Sequence, residues 1–167
     1  MLIPTMAIAD ASGECGENVT WTYTEATHEL LIEGTGPMAD YGSSPKCPWS
    51  DLEVVTAVIG PNVTTIGHSA FLRCKSLTSV TIGNSVTSIG NGAFEECTNL
   101  TTINIPNSVT NIDKYAFLSC KNLTSIIIPN SVTNIGNCAF ENCRNLNSIT
   151  IPNSVTKIGN SAFSECI

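Results

Sequence analysis

The sequence predicts a repeat solenoid, a fold in which short coils of chain stack on one another through equivalent apolar positions. All five phenylalanines recur at a constant step of 23 residues: Phe71, Phe94, Phe117, Phe140 and Phe163. Five of the eight cysteines keep the same step: Cys74, Cys97, Cys120, Cys143 and Cys166. A period of about 20 to 29 residues with recurring leucine and isoleucine is the mark of a solenoid. The 167-residue chain has the size of one such domain.

Within each unit, the spacing of apolar residues predicts a strand, a turn, a second apolar segment and a closing turn. In the unit that begins at Leu100, the L-x-x-I-x-I spacing predicts a short strand that points three apolar side chains into the core. Pro106 ends this strand because proline lacks the backbone donor needed to continue it. Residues 109–112 return to the core, and residues 116–123 have the apolar spacing of one helical or 3₁₀ turn. Most units have glycine where this one has Asp113, which predicts a backbone position with positive φ: Gly90, Gly136 and Gly159.

The strand of each unit also has outward residues between its inward side chains, because alternate residues of a strand point to opposite faces. These outward residues are small and nearly uncharged, and only Val58 and Ile127 are aliphatic. Ile127 lies between two inward isoleucines and is therefore the candidate anchor of a binding surface. In the alternative, the whole surface reflects only the β-propensity of its residues. The predicted ligand-binding positions are Thr56, Val58, Ser79, Thr81, Thr102, Asn104, Ser125, Ile127, Ser148 and Thr150.

The unit Leu-x-x-Ile-x-Ile-Pro-x-Ser-Val-x-x-Ile-Gly-x-x-Ala-Phe-x-x-Cys resembles the BspA-like, Treponema-type leucine-rich repeat. The resemblance covers residues 54–167 as five units, the last of them incomplete, and Gly60 and Gly83 replace the proline in two units. It implies a right-handed arc of 23-residue coils with a parallel β-sheet on the concave side. Members of this family are mostly surface or secreted proteins of bacteria and some protozoa, associated with adhesion to host proteins or other cells.

The first 53 residues differ in composition from the repeats. They hold nine acidic residues and one basic residue, whereas residues 54–167 hold five acidic and six basic residues. Residues 19–24 and 29–33 read as two strands, which predicts a β-hairpin N-terminal cap over residues 10–53. Residues 1–9 are apolar and end in an A-x-A pattern, so we interpret them as the remnant of a signal peptide, with Asp10 as the first mature residue.

The cysteines of the repeat predict a ladder of free, buried thiols that pack as small apolar groups. The sequence has no C-x-x-C pair of the kind that metal sites use, and no metal site is predicted. Cys15 and Cys47 lie outside the ladder and are the candidate pair for a disulfide across the cap, with two free thiols as the alternative. Cys138 stands at a variable position and is the candidate free thiol. A second recurring series lies in the turns and is expected to bond the backbone between coils: Asn84, Asn107, Asn130 and Asn153.

Charge and hydropathy exclude several classes of function. A net charge of −7 and a pI near 4.6 leave no surface that neutralises phosphates, so nucleic acid is not an expected partner. No apolar run reaches the ~18 to 20 residues of a membrane span, so no membrane insertion is predicted. The two histidines, His28 and His68, have no nucleophile or orienting group suggested beside them, so no catalytic residue and no cofactor is predicted.

We therefore expect a secreted or cell-surface adhesion module that is not an enzyme and binds a host or microbial surface protein or glycan on its concave face. Arrays of this kind suit extended partners better than small molecules, which need a deep pocket. The alternative from another class is a structural spacer that projects other domains from the cell surface. We also expect either that the natural chain continues past Ile167 or that the open C-terminal coil self-associates with another copy, because a bare apolar coil end is a liability.

Overall fold

The computed structural model describes residues 10–42 and 46–166, so the signal-peptide prediction for residues 1–9 lies outside the described residues. These residues form two sheets, one of eight strands and one of six. The strands are β1 Ala11–Gly16, β2 Val19–Thr24, β3 Glu29–Gly34, β4 Gly36–Pro37, β5 Thr56–Ile59, β6 Val63–Ile66, β7 Ser79–Ile82, β8 Ser88–Ile89, β9 Thr102–Asn104, β10 Asn111–Ile112, β11 Ser125–Ile127, β12 Asn134–Ile135, β13 Ser148–Thr150 and β14 Lys157–Ile158.

Each coil of the repeat contributes one strand to each sheet, and the coils stack in parallel register at a 23-residue offset. The eight-stranded sheet has the order β1-β2-β3-β5-β7-β9-β11-β13, and the six-stranded sheet has the order β14-β12-β10-β8-β6-β4. Ile126 of β11 pairs with Ile103 on one side and with Ile149 on the other. This arrangement confirms the predicted repeat solenoid. The outward side of the eight-stranded sheet carries the predicted binding positions and is called the concave face below.

A further coil precedes the five units that the sequence period identifies, so the stack has about six turns. Strand β3 pairs in parallel with β5, with Glu29 opposite Thr56, an offset of 27 residues instead of 23. Trp49 takes the place of phenylalanine in this coil: its ring lies 5.7 Å from that of Phe71, and its Nε1 donates a hydrogen bond to the Ala70 carbonyl at 2.9 Å. The charge of the chain changes near residue 53, whereas the eight-stranded sheet is continuous across that point.

The N-terminal end of the sheet is an antiparallel meander of three strands. β2 and β3 form the predicted hairpin, and β1 adds a strand that the sequence analysis did not identify. The meander covers the apolar side of the first coil with Trp21, whose ring meets that of Trp49 edge-on at 5.9 Å. Strand β1 escaped detection because Ser12, Gly13 and Glu14 do not belong to the residue types that favour strands.

The core is a stack of aromatic rings along the solenoid axis. Successive phenylalanine rings lie 5.0 to 5.4 Å apart and within 9° of parallel. Four of the five phenylalanines are fully buried, and Phe163 of the last coil is partly exposed. Offset stacking of this kind stabilises a pair by about 0.5 to 1.5 kcal/mol beyond the burial of area.

Two local predictions were wrong. The glycines of the 23-residue series do not have positive φ; they are small because the previous coil passes close by. A Cβ on Gly90 would lie 2.7 Å from the Ile66 carbonyl oxygen, and one on Gly136 would meet the backbone nitrogen of Lys114. The closing segment is not a helical turn, because Tyr115 and Ser119 both have φ of 59° and divide it into consecutive turns.

Candidate binding surface

Two rows of outward side chains cross the concave face, one residue per strand in each row. The parallel register places equivalent residues on neighbouring strands opposite each other, about 4.8 Å apart. The first row holds only hydroxyl side chains: Thr56, Ser79, Thr102, Ser125 and Ser148. The second row varies from coil to coil: Val58, Thr81, Asn104, Ile127 and Thr150. The structure therefore brings all ten predicted positions together on one surface.

Ile127 is the most exposed large apolar residue of the described chain, with 76% of its surface accessible. Its neighbours Ile126 and Ile128 are each only 5% exposed. The three consecutive isoleucines thus follow the alternation of a strand, two pointing into the core and one pointing away from it. An exposed isoleucine forgoes about 1.5 to 3 kcal/mol of burial, which a partner that covers it would recover.

A shallow groove of about 690 Å³ surrounds Ile127. It contains five of the ten predicted positions, all from the C-terminal half of the face: Asn104, Ser125, Ile127, Ser148 and Thr150. The other five lie on the same face towards the N-terminal end. The walls of the groove come from the turns that follow the strands, and they include Pro106, Pro129 and Pro152.

The turn asparagines contribute to this groove and not to bonds between coils, contrary to the prediction. Asn84, Asn107 and Asn130 line the groove, and their side chains are exposed without a hydrogen bond to any described residue. The bond between coils comes from the next residue in one unit, where the Ser108 hydroxyl donates to the Val86 carbonyl at 2.6 Å. The amides of the asparagine series are therefore free to pair with a ligand.

Sequence analysis missed three residues of the concave face, all on β3. Leu31 lies opposite Val58 in the second row, and Glu29 lies opposite Thr56 in the first. Glu33, two residues beyond Leu31, is exposed beside them. The 27-residue offset hid these matches, since an irregular connection between β4 and β5 lengthens the first coil. The alternation of residues 29–33 was the available signal, but it does not fix the register with β5.

The thiol ladder is confirmed as free and largely buried, and its members also donate hydrogen bonds. The Cys120 thiol donates to the Phe94 carbonyl at 3.1 Å, and the same bond recurs 23 residues on, from Cys143 to Phe117 at 3.2 Å. Burial raises the pKa of the Cys143 thiol to about 12. These cysteines are therefore neutral donors that link one coil to the previous one, and not simply small apolar groups.

The cysteines of the first coil lie close to the ladder. Cys15 and Cys47 are both buried free thiols, and a hydrogen bond with the Cys74 thiol lowers the pKa of Cys47. The Cys15–Cys47 disulfide stays a prediction for the exported protein. Cys138 is partly exposed, and a hydrogen bond with Glu141 raises its pKa above the ordinary value.

The histidines take part in structural contacts. His28 Nδ1 lies 3.0 Å from the Tyr23 hydroxyl, and His68 Nδ1 lies 3.8 Å from the Asp40 carboxylate. Among residues 10–42 and 46–166, no group of three or more His, Cys, Asp or Glu side chains is placed to hold a metal ion. The same part of the chain contains no helix with the length and hydropathy needed to cross a membrane.

Comparison with known proteins agrees with this geometry. Residues 49–167 match the model of the BspA type leucine rich repeat region in six copies. A leucine-rich repeat protein of T. pallidum superposes with a TM-score of 0.69 at 28% identity, over 92% of this chain and 68% of that one. A leucine-rich repeat protein of Bacteroides ovatus has a TM-score of 0.61 at 30% identity, over 89% of this chain and 37% of that one. A leucine-rich cell surface protein of Faecalibacterium prausnitzii has a TM-score of 0.61 at 26% identity, over 96% of this chain and 54% of that one.

The curated proteins include no significant match to this sequence. The family model nevertheless extends over more than two thirds of the chain, and it begins at Trp49, the aromatic residue that heads the phenylalanine stack. Its six copies also agree with the further coil that precedes the five sequence units. The chain belongs to the family of BspA-type leucine-rich repeat proteins.

Proposed function

We propose that this chain is a noncatalytic binding module, secreted or displayed on the cell surface, that recognises a protein or glycan on its concave face. The observation that carries the proposal is Ile127, a 76% exposed aliphatic side chain within a groove on the outward side of the sheet. The similarity to a cell surface protein of Faecalibacterium prausnitzii supports the location.

The difference between the two outward rows supports a recognition role. Both rows have the same strand geometry, so selection for β-propensity alone would treat them alike. The first row nevertheless keeps serine or threonine in every coil, whereas the second row changes among Val, Thr, Asn and Ile. Variation confined to one row is typical of a surface on which each coil contributes a different contact to a partner.

A binding assay with a matched pair of variants tests this proposal. The purified protein is screened against immobilised extracellular-matrix proteins and a glycan array, beside Ile127→Asp and Ser164→Asp. Ser164 is an exposed residue in the closing turn, at a position where Glu95 and Glu141 stand in other coils, so an acid there is compatible with the fold. Ile127→Asp should weaken binding at least tenfold, about 1.4 kcal/mol, and Ser164→Asp should leave it unchanged.

The two outcomes of the screen separate the proposal from its alternative. Binding that Ile127→Asp reduces and Ser164→Asp spares supports recognition on the concave face. Binding that neither variant reduces excludes Ile127 from the contact. Absence of binding to every protein and glycan of the screen would favour the spacer, whose role requires no ligand on this surface.

A further inference from the structure

The concave face has two apolar spots and not one. Leu31 of β3 and Val58 of β5 lie side by side in the second row, both partly exposed, and form the N-terminal spot. Ile127 of β11 is the C-terminal spot. The second row between them holds Thr81 and Asn104, which are polar and exposed. A ligand that covers both spots must therefore run along the solenoid axis, across the strands.

The separation of the spots follows from the strand register. Val58 and Ile127 are three strands apart, which is about 14 Å at ~4.8 Å per strand. Leu31 and Ile127 are four strands apart, which is about 19 Å on the same spacing. An extended polypeptide rises ~3.4 Å per residue, so side chains four residues apart span about 14 Å and side chains six apart span about 20 Å.

The alternation of an extended chain adds a second requirement. Side chains at odd separations point to opposite faces of an extended segment, so a spacing of five cannot fill both spots although its length lies between the other two. Thr81 and Asn104 sit beneath the middle of such a segment and offer hydroxyl and amide groups to its unpaired backbone. A helix already satisfies its own backbone groups and would leave these donors and acceptors unused.

Charge distinguishes the two ends of the row. Glu29 and Glu33 flank Leu31 on β3, both are exposed, and neither takes part in an ion pair among the described residues. The ten predicted positions from β5 to β13 carry no charge. A ligand that meets the N-terminal spot therefore gains from a basic residue beside its first aliphatic side chain.

We propose, on the basis of the function proposed above, that the concave face binds an extended, basic polypeptide segment with two aliphatic side chains four or six residues apart. One aliphatic side chain covers Leu31 and Val58, and the other covers Ile127. The lysine or arginine end lies over Glu29 and Glu33. The spacing and the charge of the ligand are thus fixed by three strands of this chain, β3, β5 and β11.

Fluorescein-labelled synthetic peptides test the spacing. The peptides KKTLTSTLST, KKTLTSTTLST and KKTLTSTSTLST carry their leucines four, five and six residues apart, and binding is followed by fluorescence anisotropy at low salt. The proposal predicts that the peptides with spacings of four and six bind at least tenfold more tightly than the peptide with a spacing of five. Equal binding of all three, or strongest binding of the middle one, would overturn it.

Charge and position are tested with the same assay. EETLTSTLST should bind at least tenfold more weakly than KKTLTSTLST, and the double variant Glu29→Gln/Glu33→Gln should abolish that difference. Ile127→Asp should remove the preference for even spacing, whereas Ser164→Asp should not change it. Retention of the lysine preference in the double variant would overturn the charge assignment.

The peptide result and the screen fail independently. If Ile127→Asp lowers binding to a protein or glycan of the screen but no peptide binds, the peptide inference is wrong and the proposed function stands. If no peptide and no member of the screen binds, both are wrong.

Discussion

Replacement of Phe117 by alanine should remove one of the largest single contributions to stability in the stack. Phe117 is fully buried, and its ring lies 5.4 Å from that of Phe94 and 5.1 Å from that of Phe140. Phenylalanine to alanine in a close-packed core costs about 3 to 5 kcal/mol, because the neighbours cannot close the cavity. Here both neighbours are held in place by their own coils, so we expect a value at the upper end of that range.

The matched control is Phe163→Ala in the last coil. Phe163 is partly exposed and stacks on Phe140 at 5.4 Å, without a described ring on its other side. We expect about half the cost of Phe117→Ala, since burial and stacking are both reduced. At about 2 to 4 °C per kcal/mol for a chain of this size, Phe117→Ala should lower the melting temperature by roughly 6 to 20 °C.

Urea denaturation followed by two signals measures the cost and locates it. Both tryptophans, Trp21 and Trp49, lie at the N-terminal end, so their fluorescence reports on that end, whereas circular dichroism reports on the whole sheet. In the wild type the two midpoints should coincide. In Phe117→Ala the coils after the cavity should unfold first, because each coil of a solenoid contacts only its neighbours.

Equal costs for Phe117→Ala and Phe163→Ala would refute the assignment of stability to the interior of the ring stack. A cost of Phe117→Ala below about 1 kcal/mol would refute the rigidity of its neighbours. If Phe117→Ala does not fold, Phe117→Leu, with an expected cost of about 1.5 kcal/mol, takes its place in the comparison.

Three further predictions concern the coil spacing and the thiols. Gly136→Ala should cost about 1 to 3 kcal/mol in urea unfolding, because its Cβ would meet the Lys114 backbone, whereas Gly42→Ala, with open space around it, should cost under about 0.5 kcal/mol. In native protein at pH 8, iodoacetamide should alkylate Cys138 well before Cys143, whose buried thiol has its pKa raised to about 12; mass spectrometry of the peptides reads the order, and equal rates would contradict it. Above pH 9 the unfolded chain loses the Cys143 proton while the folded chain keeps it, so the free energy of unfolding should fall as pH rises from 9 towards 12, and Cys143→Ala should make the urea midpoint less sensitive to pH between 8 and 10.

The coils could be predicted because every coil meets the same constraint from the coil before it. A constant 23-residue step puts each phenylalanine over the previous one, and the strand and the outward row then follow from simple alternation. Ile127 could be placed on the outer face for this reason. Where the step changes, the prediction ends: the first coil has an offset of 27, so Leu31 and Glu29 were not recognised as members of the rows.

The roles of the glycines and cysteines could not be predicted because they depend on distances between coils. A recurring glycine indicates either positive φ or a close approach, and only the position of the Ile66 carbonyl beside Gly90 distinguishes the two. A recurring cysteine is equally consistent with a small apolar group and with a donor. The bond from Cys120 to the Phe94 carbonyl joins residues 26 apart, and nothing in the spacing of a single unit indicates it.

Folding and recognition depend on different residues of the same strands. Inward side chains such as Ile126 are buried against equivalent residues of neighbouring coils, so a change there alters the stack and its stability. The outward side chain of Ile127, one residue further, has three quarters of its surface accessible and can be exchanged at little cost to the coil. The second row can therefore differ in every coil while the phenylalanine step stays constant. Because the strands are in register, each difference has a fixed place along the axis, and an order of side chains in the chain becomes an order of contacts about 4.8 Å apart. A partner that reads this order must itself be elongated and must present its contacts on one side, which is the property of an extended polypeptide segment.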